Sequence, residues 1–317
     1  MRVFSLSPRE GVGVRGSWLQ RALSLVRTFS AFMVGASRLP APSPRPSPGG
    51  RGRSGLLLAG CLAWPTIAAS ETVEIPAGST SLRAEFVMPS GPARAPAVVL
   101  LHGCGGPFPT RDNQWRDHLV AAGHPVLLPD SFGSRGLGSQ CRNPSRIVTP
   151  GAARRDDAIA AAKWLQEQPG IPPGGVAVMG WSNGGSTVLA TARVGRSDLP
   201  PGLIRGFVAF YPGCRFFLDA GARQWAPAAP MLLLMGESDD WTAAAPCHAL
   251  ADANPGRVEA MFYPGAYHDF DAPGRPVRVR EGLAFSANGD GTAHVGTDLA
   301  ARADALRRVP AFLDALP

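Results

Sequence analysis

After an N-terminal leader, short apolar runs alternate with segments of helical periodicity, and this alternation restricts the fold more than any other feature. Residues 97–101 and 176–179 are continuously apolar, which is typical of strands buried on both faces of a sheet. Residues 152–168 and 182–193 carry apolar side chains at helical spacing. Alternating units of this kind specify a mostly parallel, doubly wound sheet with helices on both faces. We therefore expect one α/β domain over residues 71–317, without a large cap domain.

The leader, residues 1–54, differs from the rest of the chain in charge and composition. It contains nine arginines and one glutamate, a charge of +8, whereas the whole chain has a formal net charge of +7. The remaining residues therefore sum to −1, and no nucleic-acid partner is expected, because such proteins carry their basic excess on the folded domain. Residues 41–50 are rich in proline, serine and glycine, so we predict a disordered leader. A leader of this length before a signal peptide is abnormal, which favours a true start codon downstream of Met1.

A signal peptide is predicted at residues 55–70. Its apolar run, residues 55–64, follows the basic residues at 51–54, is too short to cross a bilayer, and precedes small residues. We expect export to the periplasm or the medium; a buried strand or short helix is the alternative. Residues 58–61 also resemble a lipoprotein box, which would anchor the protein to a membrane through a lipidated Cys61.

Four cysteines remain after the predicted cleavage site: Cys104, Cys141, Cys214 and Cys247. An even number in an exported chain favours two disulfides, with three possible connectivities. We predict Cys104–Cys141 and Cys214–Cys247, because the two members of each pair follow neighbouring strands and belong at the same rim of the sheet. Free thiols, with Cys104 as a second nucleophile, are the alternative.

Several chemistries are excluded by residue types and spacings. Lys163 is the single lysine, and its surroundings do not match a phosphate-binding loop or a Schiff-base site. No pair of cysteines or histidines has the spacing of metal ligands. We therefore expect no phosphate-binding loop of this kind, no metal site and no cofactor.

Gly180-Trp-Ser-Asn-Gly184 is a GxSxG segment between a predicted strand and a predicted helix. Glycines flank the serine because the backbone of such a turn is strained and crowded, and the turn exposes the hydroxyl above the sheet. This placement makes Ser182 the candidate nucleophile.

A serine nucleophile needs a base and an orienting carboxylate. His268 follows the last predicted strand, where it would accept the proton of Ser182; a surface loop histidine is the alternative. Asp239 and Asp240 follow the preceding strand, and we prefer Asp239 because it lies three residues after Gly236. The chain order serine, aspartate, histidine is that of the α/β-hydrolases.

The glycine-rich turn at residues 101–106 directly follows an apolar strand. A backbone N–H of this turn, most simply that of Cys104, would stabilise an oxyanion together with the N–H of Asn183. A tight turn without function is the alternative. Arg135 is a candidate for binding a substrate carboxylate and Trp181 for lining the acyl pocket, although loop solvation and aromatic packing would also explain them. His102 is expected to order its own loop.

Five segments together resemble the dienelactone hydrolase family of α/β-hydrolases. They are residues 102–106, 129–132 with 135–136, 180–185, 236–239 and 267–268. The resemblance spans about residues 85–315 and implies an α/β-hydrolase fold and hydrolysis of carboxylic esters without a cofactor. Founding members of the family have a cysteine nucleophile where this chain has Ser182, and a glutamate near the oxyanion turn that we do not find here. We therefore expect a broader esterase acting on a small-molecule ester or lactone.

Two other functions remain open at this point. A peptidase or polymer esterase would have the same fold and the same catalytic residues. A non-catalytic binding module would lack a member of the Ser-His-Asp triad, whereas Ser182, His268 and Asp239 are all present. Labelling by a fluorophosphonate would separate an enzyme from a binding module.

Overall fold

The computed structural model describes residues 70–195, 197–219 and 225–317. The predicted disordered leader, the signal peptide and the lipidation site at Cys61 lie outside the described residues. Among those that are described, no helix combines the length and the apolar character needed to cross a bilayer.

Ten strands and six α-helices alternate along the described chain, as the apolar pattern predicts. In chain order they are β1 Ser70–Ala77, β2 Thr80–Val87, β3 Val98–Leu101, α1 Pro109–Ala121, β4 Val126–Pro129, α2 Ala153–Gln166, β5 Val176–Trp181, α3 Asn183–Ala192, β6 Ile204–Phe210, α4 Arg215–Asp219, β7 Met231–Gly236, α5 Ala244–Asp252, β8 Val258–Tyr263, β9 Arg278–Arg280, β10 Ala293–Val295 and α6 Leu299–Asp314. A single 3₁₀ turn, Gly133–Arg135, follows β4.

Eight of the strands form one sheet in the order β1-β2-β4-β3-β5-β6-β7-β8. β1 and β2 form an antiparallel hairpin, β2 pairs antiparallel with β4, and all further pairs are parallel. Every residue of β3, β5 and β7 is buried, which explains why these strands are continuously apolar in the sequence. The predicted α/β class with a mostly parallel sheet is confirmed.

The helices form two groups around the sheet. α2 and α3 contact each other as well as the central strands. α1 and α6 are joined by His118, whose Nε2 lies 2.7 Å from the carbonyl oxygen of Leu306. Helices on both faces bury the sheet, so the carboxyl ends of its parallel strands are where loops can build a site.

The short β9–β10 hairpin has no counterpart in the sequence prediction. Each of its strands has three residues, and the pairing is antiparallel, which is too short for a reliable alternation of apolar and polar residues. β10 contributes to the site, because Val295 forms a parallel bridge to His268 and the N–H of Gly296 donates to the carbonyl of His268 at 3.0 Å. The hairpin therefore supports the loop that carries the candidate base.

Candidate active site

Ser182 stands at the sharp turn between β5 and α3 with a positive φ of 53°, a conformation that is strained for a residue with a side chain. Crowding explains the flanking glycines. A Cβ atom on Gly180 would lie 2.6 Å from the backbone of Gly184, and one on Gly184 would lie 2.1 Å from the carbonyl oxygen of Leu101. The turn therefore requires both glycines of the GxSxG segment.

His268 and Asp239 form a buried pair. The Nδ1 atom of His268 lies 2.7 Å from Oδ2 of Asp239, and both side chains are almost completely excluded from solvent. Asp239 also accepts hydrogen bonds from the backbone N–H groups of Trp241 and Thr242 and from the Thr242 hydroxyl, at 2.8 to 3.1 Å. With Nδ1 donating to the carboxylate, the imidazole presents Nε2 as its acceptor.

Aromatic rings fix the orientation of the His268 imidazole. The ring centroids of Tyr211 and Trp241 lie 4.5 and 4.7 Å from that of His268. Burial is the largest single effect and lowers the pKa of His268, but the charge and hydrogen bond of Asp239, together with the charge of Asp269, raise it above its ordinary value. The pair is therefore built to stabilise the protonated imidazolium.

The structure does not join Ser182 and His268 by a hydrogen bond. The Nε2 atom of His268 is buried and has no hydrogen-bond partner among the described residues. Trp241 and Thr242, which contact His268, line the same cavity as Ser182. Catalytic hydrogen bonds are often long in ligand-free enzymes and shorten when substrate binds, so this arrangement is compatible with a serine–histidine pair.

The loop after His268 is anchored in a buried polar network centred on Asp271. This carboxylate accepts hydrogen bonds from the indoles of Trp115 and Trp181 at 2.8 Å and from the Tyr211 hydroxyl at 2.6 Å. Burial raises the pKa of Asp271. Tyr211 and Asp269 both have positive φ angles, 36° and 60°, so strained backbone is concentrated on either side of His268.

The turn after β3 brings a second wall to the site. A Cβ atom on Gly103 would lie 3.6 Å from Cβ of Ser182, so this turn directly abuts the serine. The backbone N–H groups of Cys104 and Asn183 have no acceptor among the described residues, and both residues line the cavity. Two unpaired backbone amides beside a candidate nucleophile are the kind of groups from which an oxyanion hole is built.

Two disulfides link Cys104 to Cys141 and Cys214 to Cys247, the two pairs that strand order predicts. The N–H of Gln140 also donates to the carbonyl of Cys104 at 2.7 Å. The first disulfide therefore ties the candidate oxyanion turn to the loop that follows β4. Two disulfides are compatible with an exported protein.

His102 orders the same turn, as expected. Its Nε2 accepts a hydrogen bond from the N–H of Ser131 at 3.2 Å, and its Nδ1 lies 2.8 Å from the carbonyl of Gly103. Burial and the charge of Arg154 lower the pKa of His102, so the ring is neutral. Its role in the structure is to hold backbone groups.

Arg154, a residue of α2 that the sequence analysis did not select, lies behind this turn. It is fully buried, and its Nη1 and Nη2 donate to the Asn183 side-chain oxygen at 2.5 Å and to the His102 carbonyl at 2.7 Å. Burial lowers the pKa of Arg154 to about 9, which leaves it protonated at neutral pH. No motif marks an arginine that binds one amide and one backbone carbonyl, so sequence reasoning had no signal for it.

The cavity beside Ser182 has a volume of about 990 Å³. Its lining is largely apolar and includes the aromatic residues Phe216, Phe217, Trp241 and Phe285, of which Phe216 and Phe285 are exposed. Arg146 and Arg215 are the charged residues among those described that line it.

Arg135 and Trp181, the two residues expected to bind substrate, do not line the cavity beside Ser182. Arg135 makes two hydrogen bonds of 2.8 Å to the carboxylate of Asp157, and it does not line the cavity. Trp181 is fully buried below the serine turn, where its ring packs under the Arg111 guanidinium at 4.4 Å. Ion pairing therefore engages Arg135 and core packing engages Trp181 in the structure, and contact of either residue with substrate remains a prediction.

Asp240 forms a different pair from its neighbour. One carboxylate oxygen accepts a hydrogen bond from the backbone N–H of His294, and the other pairs with Nδ1 of the same residue, each at 2.7 Å. The side chains of Asp240 and His294 are 28% and 42% exposed. This second pair ties β10 to the loop that carries Asp239.

No group of three or more histidine, cysteine, aspartate or glutamate side chains in the described part of the chain is arranged to hold a metal ion. The residues at the serine turn are those of nucleophilic and acid–base chemistry.

The strand order, the strained serine turn between β5 and α3, and the buried Asp–His pair after β7 and β8 define an α/β-hydrolase. A sequence model of the dienelactone hydrolase family matches residues 82–316, and the chain therefore belongs to that family. The resemblance expected from the sequence segments is confirmed, and with it membership in a family of hydrolases.

Three solved structures share the fold. A dienelactone hydrolase-like promiscuous phosphotriesterase from metagenomic libraries is 20% identical, with a TM-score of 0.58 and coverage of 78% of this chain and 98% of that one. A dienelactone hydrolase from Anabaena variabilis is 22% identical, with a TM-score of 0.52 and coverage of 65% and 91%. Esterase 2 from Thermogutta terrifontis is 18% identical, with a TM-score of 0.51 and coverage of 65% and 86%.

Proposed function

We propose that this protein hydrolyses carboxylic esters or lactones through an acyl-enzyme intermediate on Ser182. The observation that carries the proposal is the buried Asp239–His268 hydrogen bond of 2.7 Å behind a cavity lined by Ser182 on its strained turn. A buried carboxylate–imidazole pair costs desolvation energy, and activation of Ser182 by His268 would give that cost a catalytic purpose.

In this mechanism Nε2 of His268 accepts the proton of the Ser182 hydroxyl as its oxygen attacks the ester carbonyl carbon. The N–H groups of Cys104 and Asn183 stabilise the negative charge that develops on the carbonyl oxygen. The imidazolium then donates its proton to the leaving alkoxide, and the alcohol departs. Water attacks the acyl-enzyme with His268 again as base, which releases the acid and restores the hydroxyl of Ser182.

The cavity favours substrates with a bulky apolar group. Aromatic side chains line it from several elements, and no carboxylate lines it within the described residues. Burying apolar substrate surface contributes roughly 25 cal/mol per Å² to binding. We therefore place esters with an extended acyl or aromatic group ahead of short acetyl esters as substrates.

Export is part of the proposal. Two disulfides at the rim of the sheet, Cys104–Cys141 and Cys214–Cys247, persist in an oxidising compartment such as the periplasm. The signal peptide at residues 55–70, the domain boundary that follows it and the membrane anchor at Cys61 remain predictions, which N-terminal sequencing of the exported protein would test.

The proposal is tested with a panel of p-nitrophenyl esters of increasing acyl size and simple lactones. We expect turnover of esters, with kcat/KM rising from acetyl to longer acyl groups. Ser182→Ala should lower kcat by about 10⁶-fold, as removal of a serine nucleophile does elsewhere, while its thermal unfolding stays close to that of the wild type.

Turnover retained by the Ser182→Ala variant would overturn the assignment of the nucleophile. Hydrolysis of peptide amides in preference to every ester would favour the peptidase alternative. Wild-type protein that turns over neither class would favour the binding module.

A further inference from the structure

Arg154 is a buried cation whose direct partners are both neutral. Its guanidinium donates to the Asn183 side-chain oxygen and to the His102 carbonyl, and its Nε atom has no hydrogen-bond partner among the described residues. No carboxylate of the described chain lies within ion-pair distance of it, and the charges of Asp157 and Asp130 act on it from farther away. A buried charge without a countercharge in direct contact is costly, so its position calls for a functional reason.

The two acceptors of Arg154 belong to the two halves of the candidate oxyanion hole. Asn183 provides one free backbone N–H, and its side chain accepts from Arg154 at 2.5 Å. His102 is two residues before Cys104, which provides the other N–H, and the His102 carbonyl accepts from Arg154 at 2.7 Å. One planar guanidinium therefore holds both walls of the hole at a fixed separation, which a flexible ammonium group would not do.

The surrounding packing makes that separation critical. A Cβ atom on Gly184 would lie 2.6 Å from the His102 carbonyl oxygen, so the serine turn and the β3 turn already touch at this point. Gly103 approaches Ser182 on the same side. A small shift of the His102 carbonyl would therefore move the Cys104 amide relative to the serine, and catalytic donors tolerate only about 0.5 Å of displacement.

We propose that Arg154 is a positioning residue that aligns the Cys104 and Asn183 amides as one oxyanion hole and directs its positive charge toward the oxyanion from behind. This inference rests on the proposed function, because the hole has a role only if the serine is acylated. The substrate touches the amides and not Arg154, so the effect reaches the reaction through His102 and Asn183.

The next residue along the chain provides a matched control. Arg155 is also a buried arginine of α2, but it forms an ion pair with Asp198 and donates to the Ala190 carbonyl of α3 at 3.3 Å. None of these groups belongs to the serine turn or the β3 turn. Arg154→Met and Arg155→Met thus remove the same group from the same helix, with and without contact to the oxyanion hole.

The experiment measures kcat, KM and thermal unfolding on an ester that the wild type hydrolyses and Ser182→Ala does not. We expect Arg154→Met to lower kcat by about 10- to 100-fold, somewhat less than complete loss of an oxyanion donor, and to leave KM within about threefold. Arg154→Lys should recover part of the lost kcat, because lysine keeps the charge but holds one acceptor at a time. Arg155→Met should lower the melting temperature but keep kcat within about twofold.

A second readout isolates the hole from general stability. A trifluoromethyl ketone forms a tetrahedral adduct whose oxyanion occupies the hole, so Arg154→Met should weaken its inhibition by about the same factor as kcat. Asn183→Ala, which keeps the backbone N–H but removes the side-chain acceptor, should lower kcat less, and its effect should not add to that of Arg154→Met.

The outcomes separate this inference from the proposed function. A wild type without Ser182-dependent turnover would overturn both. An active wild type in which Arg154→Met keeps kcat, or loses it only as much as Arg155→Met, would overturn the role of Arg154 alone. If Arg154→Met fails to fold, Arg154→Lys and Asn183→Ala decide: lowered kcat with unchanged KM supports the role, and unchanged kcat overturns it.

Discussion

Two consecutive aspartates, Asp239 and Asp240, each pair with a histidine, and the environments of the two pairs differ sharply. Asp239 and His268 are 0% and 1% exposed, whereas Asp240 and His294 are 28% and 42% exposed. Both pairs have the same 2.7 Å separation between Nδ1 and the carboxylate. Geometry within a pair therefore does not identify a catalytic pair; burial and the neighbouring side chains do.

The surroundings of the two pairs explain what each one does. Around the first pair, Thr242 donates to Asp239 and aromatic rings enclose His268, so the imidazole has one orientation. The second pair lies near solvent, where His294 stacks on Tyr267 at 4.8 Å. A solvent-exposed pair contributes about 0–1 kcal/mol to stability. Such a weak contact is consistent with a structural role, in which the pair links β10 to the loop that carries Asp239.

The largest difference between the pairs should appear on removing the histidines. We expect His268→Ala to lower kcat by about 10⁶-fold, because no base then activates Ser182. His294→Ala should retain most activity, since the imidazole pairs with Asp240 and stacks on Tyr267, neither of which is assigned to the catalytic triad. Initial rates on one p-nitrophenyl ester measure both, and equal losses would show that the two pairs do not divide their roles in this way.

A smaller but still large difference should separate the carboxylates. Asp239→Asn should lower kcat by about 10⁴-fold, as in the serine proteases, because an amide favours the wrong imidazole tautomer. Asp240→Asn keeps a hydrogen-bond acceptor for the His294 N–H and should cost little activity. If Asp240→Asn proves the worse variant, the assignment of the triad carboxylate is reversed.

The smallest expected effect is a shift in the pH dependence of kcat/KM in Asp239→Asn. The base must be neutral, so kcat/KM is lost as pH falls through the pKa of His268, which Asp239 holds above its ordinary value of 6.5. In Asp239→Asn the opposing charge is gone and burial dominates, so the residual activity should fall off at a lower pH. Asp240→Asn should leave the acidic limb in place, and an equal shift in both variants would contradict the assignment.

The sequence contained enough information to predict the framework of the site. Continuous apolar strands and helical spacing predict the parallel sheet, and the glycines around Ser182 predict its turn because backbone contacts forbid a side chain there. Strand order likewise predicts both disulfides, since Cys104 and Cys214 follow strands whose neighbours precede Cys141 and Cys247. These features follow from local pattern and topology.

Side-chain partners distant along the chain could not be predicted. Consecutive aspartates point to different sides, and His294, 54 residues from Asp240, belongs to a hairpin too short to recognise. The sequence contains no sign that Arg135 has a partner, because Asp157, with which it pairs, lies on a separate helix. Asp239 did offer a signal: an aspartate in a turn often accepts from backbone N–H groups a few residues later, as it does from those of Trp241 and Thr242.

The most direct test of the central claim is the site of covalent modification. A fluorophosphonate should phosphonylate the wild type at one position, which peptide mapping by mass spectrometry should place on Ser182, as an activated serine requires. Labelling should be absent in Ser182→Ala, strongly slowed in His268→Ala and unchanged in His294→Ala. A modified residue other than Ser182, or labelling of Ser182→Ala at the wild-type rate, would contradict the account.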